Sequence, residues 1–162
     1  MIKSELLILG IGNYLMGDEG LGVHFVRTLE HERWPEGVKI LDGGTAGFQL
    51  MEDLESHSTV IMVDATLDDH PPGTIRLIEP RFARDFPKAM STHEIGLKDL
   101  VEALSLLDRL PRIYLFVVSV EKIQPLSIEL STAVEGALPQ LRGRVDHLLE
   151  QLGIIVPAPA AV

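Results

Sequence analysis

The chain of 162 residues contains no cysteine. This absence excludes a thiol nucleophile, a cysteine-ligated zinc site and an iron–sulfur cluster, because each of them needs a thiolate. It is also typical of proteins kept in a reducing compartment, and we expect a cytoplasmic protein. A chain of this length buries enough surface to fold as one domain without a disulfide or a structural metal.

Basic residues and long apolar runs are scarce as well. Lys and Arg number 14 against 24 Asp and Glu, which gives a formal net charge of -10. Such a chain repels phosphate backbones and anionic lipid, so we expect no nucleic acid and no membrane surface as partners. No apolar run approaches the roughly 18 residues of a membrane span, and the short apolar run near the amino end has no cleavage site of a signal peptide.

Short apolar runs alternate with helical patterns along the whole chain. Strands alternating with helices favour an α/β fold, in which a mostly parallel sheet is covered by helices on both faces. We expect a single domain over residues 1–152 and a flexible tail over 153–162. The predicted strands cover 6–9, 38–41, 59–63, 113–118 and an edge strand at 74–78, antiparallel to its neighbour; helical patterns cover 21–29, 48–54, 97–107 and 134–152. Pro139 is expected to kink or restart the last helix.

Ligands of open parallel sheets bind beyond the carboxyl ends of the strands. This rule selects Gly10–Glu19 after the first strand, Asp42–Thr45 after the second and Asp64 after the third. The sequence therefore predicts that acidic and glycine-rich segments meet at one edge of the sheet.

The first of these segments is only superficially like a dinucleotide-binding loop. The fingerprint needs a third glycine where this chain has Leu15, and no phosphate-binding Lys-Ser/Thr pair is present. We therefore expect the glycines to allow a tight backbone path that presents Asn13, Asp18 and Glu19. The alternative is that these two acids only cap the following helix and complement its dipole.

The other candidates also have structural alternatives. Asp64 ends an apolar strand, where it is placed for chemistry or for a turn, and Asp42 with Thr45 could instead form a turn and cap the next helix. His93 precedes a helix and either faces the strand ends or caps that helix, whereas the other five histidines are expected to be solvated. No second histidine follows His93 as in zinc proteases, and no Gly-x-Ser-x-Gly nucleophile is present. Carboxylates and an imidazole without thiolate suit a divalent metal or a carboxylate general base.

Four blocks of the sequence, read together, resemble the nickel–iron hydrogenase maturation endopeptidases. They occur in the order and at the spacing of that family, and the resemblance runs from about Leu6 to Leu152. The blocks are Gly10-Ile11-Gly12-Asn13 with Asp18-Glu19-Gly20-Leu21-Gly22, then Asp42-Gly43-Gly44-Thr45-Ala46-Gly47, Val63-Asp64-Ala65 and His93-Glu94-Ile95-Gly96-Leu97.

The resemblance implies a twisted, five-stranded, doubly wound α/β fold. It also implies an activity, the removal of a short C-terminal extension from the nickel-loaded precursor of the hydrogenase large subunit. By position, Glu19, Asp64 and His93 correspond to the metal-binding and catalytic residues of the family, which some schemes class with aspartic-type peptidases. Asp42, in the block with Gly43, Gly44 and Thr45, corresponds to a substrate-recognition position.

The source of the metal and the chemical step stay open at this stage. Nickel bound in the precursor could complete its coordination with the three ligands and then polarise the scissile carbonyl or activate a water. Alternatively, a carboxylate acts as general base and the nickel only docks the substrate. Other classes of function are a nickel-binding or nickel-sensing module without catalysis, and a nucleotide-binding domain. We expect a monomer whose partner is the large-subunit precursor.

Overall fold

The computed structural model describes residues 5–90 and 97–156, which form five strands and four α-helices. The strands are β1 (Leu6–Ile11), β2 (Val38–Gly44), β3 (Thr59–Leu67), β4 (Ile75–Ile78) and β5 (Arg112–Val120). The α-helices are α1 (Leu21–Leu29), α2 (Met51–Glu55), α3 (Leu97–Leu106) and α4 (Thr132–Gln151), and short 3₁₀ helices cover Gly17–Gly20, Phe48–Leu50 and Ala83–Asp85.

The five strands form one open sheet in the order β2-β1-β3-β5-β4. The first four of these are parallel, and β4 pairs antiparallel with β5 at the edge. This confirms the expected mostly parallel, five-stranded α/β fold with an antiparallel edge strand. Because β1, β3 and β5 are neighbours, their carboxyl ends and the loops that follow them lie along one edge of the sheet.

Alternate residues of the central strands enter two separate hydrophobic cores. Leu6, Ile8 and Val63 belong to the core covered by α1 and α4. Leu7, Leu9 and Met62 belong to the core on the other face, covered by α2 and α3. Side chains on both faces of these parallel strands are therefore buried, which explains why the strands are continuous apolar runs in the sequence.

The last helix differs from expectation at Pro139. α4 is a single helix from Thr132 to Gln151 with this proline inside it, so the expected restart of the helix is wrong. A proline removes one backbone hydrogen bond, but the buried side chains of Val134, Leu141 and Val145 on either side hold the helix against the sheet. Packing against the sheet thus outweighs the loss of the backbone hydrogen bond at Pro139.

The chain after α4 continues along the first core. Gly153, with φ of 77°, ends the helix, and Ile154 and Val156 pack against the α1–α4 side of the sheet. The remainder of the predicted tail lies outside the described residues, so the predicted domain boundary stays a prediction. Among the helices that the structure describes, none is long and apolar enough to cross a membrane.

A bidentate ion pair joins the loop after α1 to α4. The guanidinium of Arg142 donates from Nη2 to Glu32 Oε1 at 2.8 Å and from Nη1 to Oε2, and it lies over the ring of Trp34. The hydrogen bonds from Arg142 hold the pKa of the Glu32 carboxyl below its ordinary value, against the opposing effect of burial. The ionised carboxylate is therefore favoured in the folded protein.

We expect Glu32→Gln to lower the free energy of unfolding by about 1 kcal/mol at pH 7. Because the folded-state pKa is depressed, the contribution of Glu32 is present above the ordinary pKa of 4.5 and is lost as pH falls below it through the folded value. Urea unfolding of both proteins between pH 7 and pH 3 measures this. A stability difference that persisted unchanged at pH 3 would contradict the assignment.

Candidate active site

Close packing of glycines brings the segment of Glu19 against the middle of β3. Glu19 lies in the 3₁₀ helix Gly17–Gly20, which packs against β3. A Cβ at Gly22 would lie 2.2 Å from the carbonyl oxygen of Val63, and a Cβ at Gly12 would lie 2.0 Å from that of Glu19 itself. Only glycine permits these backbone contacts. The glycines therefore allow the backbone to pass closely against β3 beside Glu19, in keeping with the expected tight backbone path.

Asp64 lies in the middle of the sheet, within the carboxyl half of β3, which continues to Leu67 and so runs four residues beyond the predicted strand end at 63. Its exposed fraction is 0%, and its Oδ1 accepts a hydrogen bond from the Ala65 N–H at 2.8 Å. Within β3 it alternates with Val63, which enters the core beside α1, so its side chain is directed to the opposite face of the sheet. A buried carboxylate within a paired central strand is held in one orientation, as a catalytic or metal-binding group needs to be.

Asp42 lies near the carboxyl end of the edge strand β2, which β1 separates from β3. Its Oδ1 accepts the Gly44 N–H at 3.0 Å, and its Oδ2 faces Arg27 Nε at 3.3 Å. The Arg27 guanidinium in turn lies 4.1 Å from the centre of the Tyr14 ring. The turn-forming interpretation of Asp42 is thus confirmed, and its carboxylate is also bound by Arg27. The sequence did not single out Arg27 or Tyr14.

The block that follows Asp42 has the geometry of a turn. Gly44 has a φ of 51°, which favours glycine, and the strand pairing shifts here, so that Ile11 pairs with Gly44. Gly43 is buried and Thr45 is exposed. The next helix starts after Gly47, so the alternative of Thr45 as its cap is wrong.

Asp18 has a role that the sequence did not reveal. It is buried, and its carboxylate accepts the Ser131 N–H at 2.7 Å and Gln124 Nε2 at 3.1 Å. Its own N–H donates to Gln124 Oε1 at 2.9 Å. The alternative in which Asp18 caps the helix after it is therefore wrong: its side chain joins the loop between β5 and α4 to the segment that carries Glu19.

Asp18→Ala should therefore loosen two loops at once. The buried Ser131 N–H and the Gln124 amide would lose their acceptor, and we expect the free energy of unfolding to fall by about 2 kcal/mol. Denaturant unfolding measures this, with Asp53→Ala as the control, which removes a half-buried carboxylate of α2 paired with the exposed Lys39 side chain and for which a change within about 1 kcal/mol is expected. An Asp18→Ala protein as stable as the parent would show that these hydrogen bonds contribute nothing.

His93 lies outside the described residues, so its predicted place in the site stays a prediction. Over residues 5–90 and 97–156, no three side chains of the kinds that bind metals form a group suited to a metal ion. Of the predicted ligands, the structure thus describes Glu19 and Asp64, on adjoining elements at the same edge of the sheet, with Asp42 two strands from Asp64. Carboxylates in this setting can bind a divalent cation or accept a proton from water.

The fold and the site together define a class: a small, open-sheet α/β protein with an acidic site at the carboxyl edge of its sheet. Residues 23–146 match the family described as HycI hydrogenase maturation protease. The chain belongs to the hydrogenase maturation proteases, and it is therefore a peptidase. This confirms the resemblance seen in the four sequence blocks.

Similar proteins support this membership over nearly the whole chain. The hydrogenase 2 maturation protease of Escherichia coli (strain K12) is 34% identical over 93% of this chain and 93% of its own length. The hydrogenase expression/formation protein HoxM of Azotobacter vinelandii is 34% identical over 98% of this chain and 78% of its own. The solved structure of the hydrogenase-maturating endopeptidase HybD from E. coli has a TM-score of 0.86 at 32% identity, covering 96% of this chain and 98% of that one.

Proposed function

We propose that this chain is the endopeptidase that removes a short C-terminal extension from the nickel-loaded precursor of a nickel–iron hydrogenase large subunit. Membership of the maturation proteases supports the reaction class. The observation that carries the assignment of the site is the buried carboxylate of Asp64 in the carboxyl half of a central strand, with the segment of Glu19 packed against the same strand through glycine contacts.

In this proposal Glu19, Asp64 and His93 are the catalytic residues and also the ligands that complete the coordination of the nickel in the precursor. Nickel belongs to the substrate, and its binding positions the scissile peptide at the carboxylates. A water oxygen then forms a bond to the peptide carbonyl carbon, a carboxylate takes the water proton, and the C–N bond breaks with a proton passing to the departing amine. The same three residues would serve a second mechanism, in which the nickel polarises the carbonyl of the scissile peptide.

Asp42 and the turn Gly43–Thr45 are proposed to recognise the substrate. Asp42 is held by Gly44 and Arg27, so its position beside the site is fixed before substrate arrives. Pre-organisation of this kind reduces the entropy that binding must supply. We further propose that the enzyme is a monomer. We also propose that it acts in the cytoplasm, which is consistent with a chain free of cysteine.

The proposal makes a prediction about the metal. Two carboxylates and one imidazole, without thiolate, hold a divalent ion only modestly when water fills the other positions. We expect protein purified in metal-poor buffer to be largely metal-free by elemental analysis, and chelators not to block cleavage of precursor whose nickel is already bound. A stoichiometric metal that survives dialysis, with activity lost when it is stripped, would instead indicate a resident metal centre.

The other function considered is a nickel-binding module that recognises the precursor without cleaving it. Incubating the purified chain with nickel-loaded precursor and following the large subunit by electrophoresis separates the two. An endopeptidase shortens the precursor with repeated turnover, whereas a binding module forms a complex of unchanged chain length. A stable complex without any shortening would contradict the proposed reaction.

A further inference from the structure

Two loops at the carboxyl edge of the sheet expose large aliphatic side chains. One loop joins β1 to the 3₁₀ helix that carries Glu19, and the other joins β5 to α4. Leu126 is 91% exposed and Leu15 is 56% exposed. We refer to the exposed aliphatic residues of these two loops as the apolar rim: Leu15, Ile123, Leu126 and Ile128.

The two halves of the apolar rim are fastened to each other. Ser127 N–H donates to the Leu15 carbonyl at 2.9 Å, and Gly17 N–H donates to the Ser127 carbonyl at 2.7 Å. These bonds form a short parallel bridge, in which Leu15 and Leu126 each come one residue before the paired positions. The buried Asp18 carboxylate ties the same two loops together a second time through Ser131. The apolar rim is therefore a pre-organised surface.

Leu126 is held in an unfavourable state on this surface. Its φ is 57°, in the left-handed region that disfavours a leucine, while its side chain is almost wholly in water. Neither feature contributes to folding, because this side chain packs into neither hydrophobic core of the described residues. Strained residues and grouped exposed aliphatic side chains are typical of binding surfaces.

We propose that the apolar rim binds an aliphatic segment of the large-subunit precursor next to the scissile peptide, an inference that rests on the proposed function. Leu15 lies on the loop that leads directly to Glu19, so a peptide bond placed at Glu19 and Asp64 brings the adjoining precursor chain across this loop. A second copy of the protein is a poorer occupant, because two chains of formal charge -10 repel each other.

The test compares Leu126→Asn with Leu106→Asn. Asparagine tolerates the left-handed conformation, so Leu126→Asn should melt at the parent temperature or above it. Leu106 is 82% exposed at the end of α3, away from the apolar rim, and provides a matched loss of an exposed leucine. With nickel-loaded precursor, we expect Leu126→Asn to raise KM about tenfold at unchanged kcat, and Leu106→Asn to change neither constant.

Other outcomes would overturn the inference. An unchanged KM for Leu126→Asn, or equal effects of the two variants, would show that the apolar rim does not bind the precursor. Self-association of the parent in sedimentation analysis that Leu126→Asn abolishes would assign the surface to a second copy. Binding of the precursor is also measured by titration, with chains that carry Asp64→Asn alone and chains that carry Leu126→Asn in addition. If the parent protein cleaves no precursor but Leu126→Asn still weakens binding, the proposed function fails and the inference about the apolar rim stands.

Discussion

Asp64→Asn is expected to reduce cleavage of the nickel-loaded precursor by roughly a thousandfold while leaving the fold intact. The asparagine side chain has the same shape, and its oxygen can still accept the Ala65 N–H that Asp64 now binds at 2.8 Å. What is lost is the negative charge, which both metal coordination and proton transfer need. Single-turnover cleavage followed by mass spectrometry measures the rate, and circular dichroism checks the fold.

Asp68→Asn is the matched control for this prediction. Asp68 follows the end of the same strand, and it forms a half-buried ion pair with Arg76 at 2.8 Å. Its replacement removes one negative charge near the same edge, and we expect cleavage at close to the parent rate. If Asp64→Asn cleaved as fast as the parent, or if both variants lost the same activity, Asp64 would have no special part in the reaction.

Gly22→Ala is expected to lower the free energy of unfolding by about 3 kcal/mol and the melting temperature by about 10 °C. A Cβ at this position would lie 2.2 Å from the Val63 carbonyl oxygen and 2.4 Å from that of Ile11, and both are backbone atoms of the central sheet. Relief requires α1 to move away from the sheet, which also moves the segment that carries Glu19. Thermal melting should therefore show a lower melting temperature, and the cleavage assay should show a lower rate for the same variant.

Gly143→Ala is the matched control, since the same substitution is expected to stabilise the protein at this position. Gly143 lies in α4, and a Cβ there would meet nothing within 4 Å. Alanine is the better helix former, so we expect the free energy of unfolding to rise by up to about 1 kcal/mol with cleavage unchanged. If Gly22→Ala proved as harmless as Gly143→Ala, the close-packing explanation of the glycine pattern would be wrong.

The elements of the fold could be predicted from the sequence because their signals are local. Each buried strand is a short run of aliphatic residues, and α1 has apolar residues at helical spacing over Leu21–Leu29, the range that the structure shows. The strand-end rule then places Asp42 and Asp64 at one edge without any knowledge of strand order.

Two features were missed because no hydrophobic period in the sequence encodes their contacts. Asp18 binds Gln124 and Ser131, more than 100 positions away, so its local context suggested a helix cap. His57 was expected to be solvated, yet it is 4% exposed, with its Nδ1 2.6 Å from the Asp53 carbonyl oxygen. His57 lies in a polar run between α2 and β3, so no apolar pattern in the sequence indicated its burial.

The intact mass of the large-subunit precursor tests the central claim most directly. Nickel-loaded and nickel-free precursor are each incubated with the purified protein, and mass spectrometry records both the shortened subunit and the released peptide. We predict one cleavage near the carboxyl end of the nickel-loaded form and an unchanged nickel-free form. An unchanged mass for both forms, or equal shortening of both, would contradict a peptidase whose substrate is recognised through its nickel.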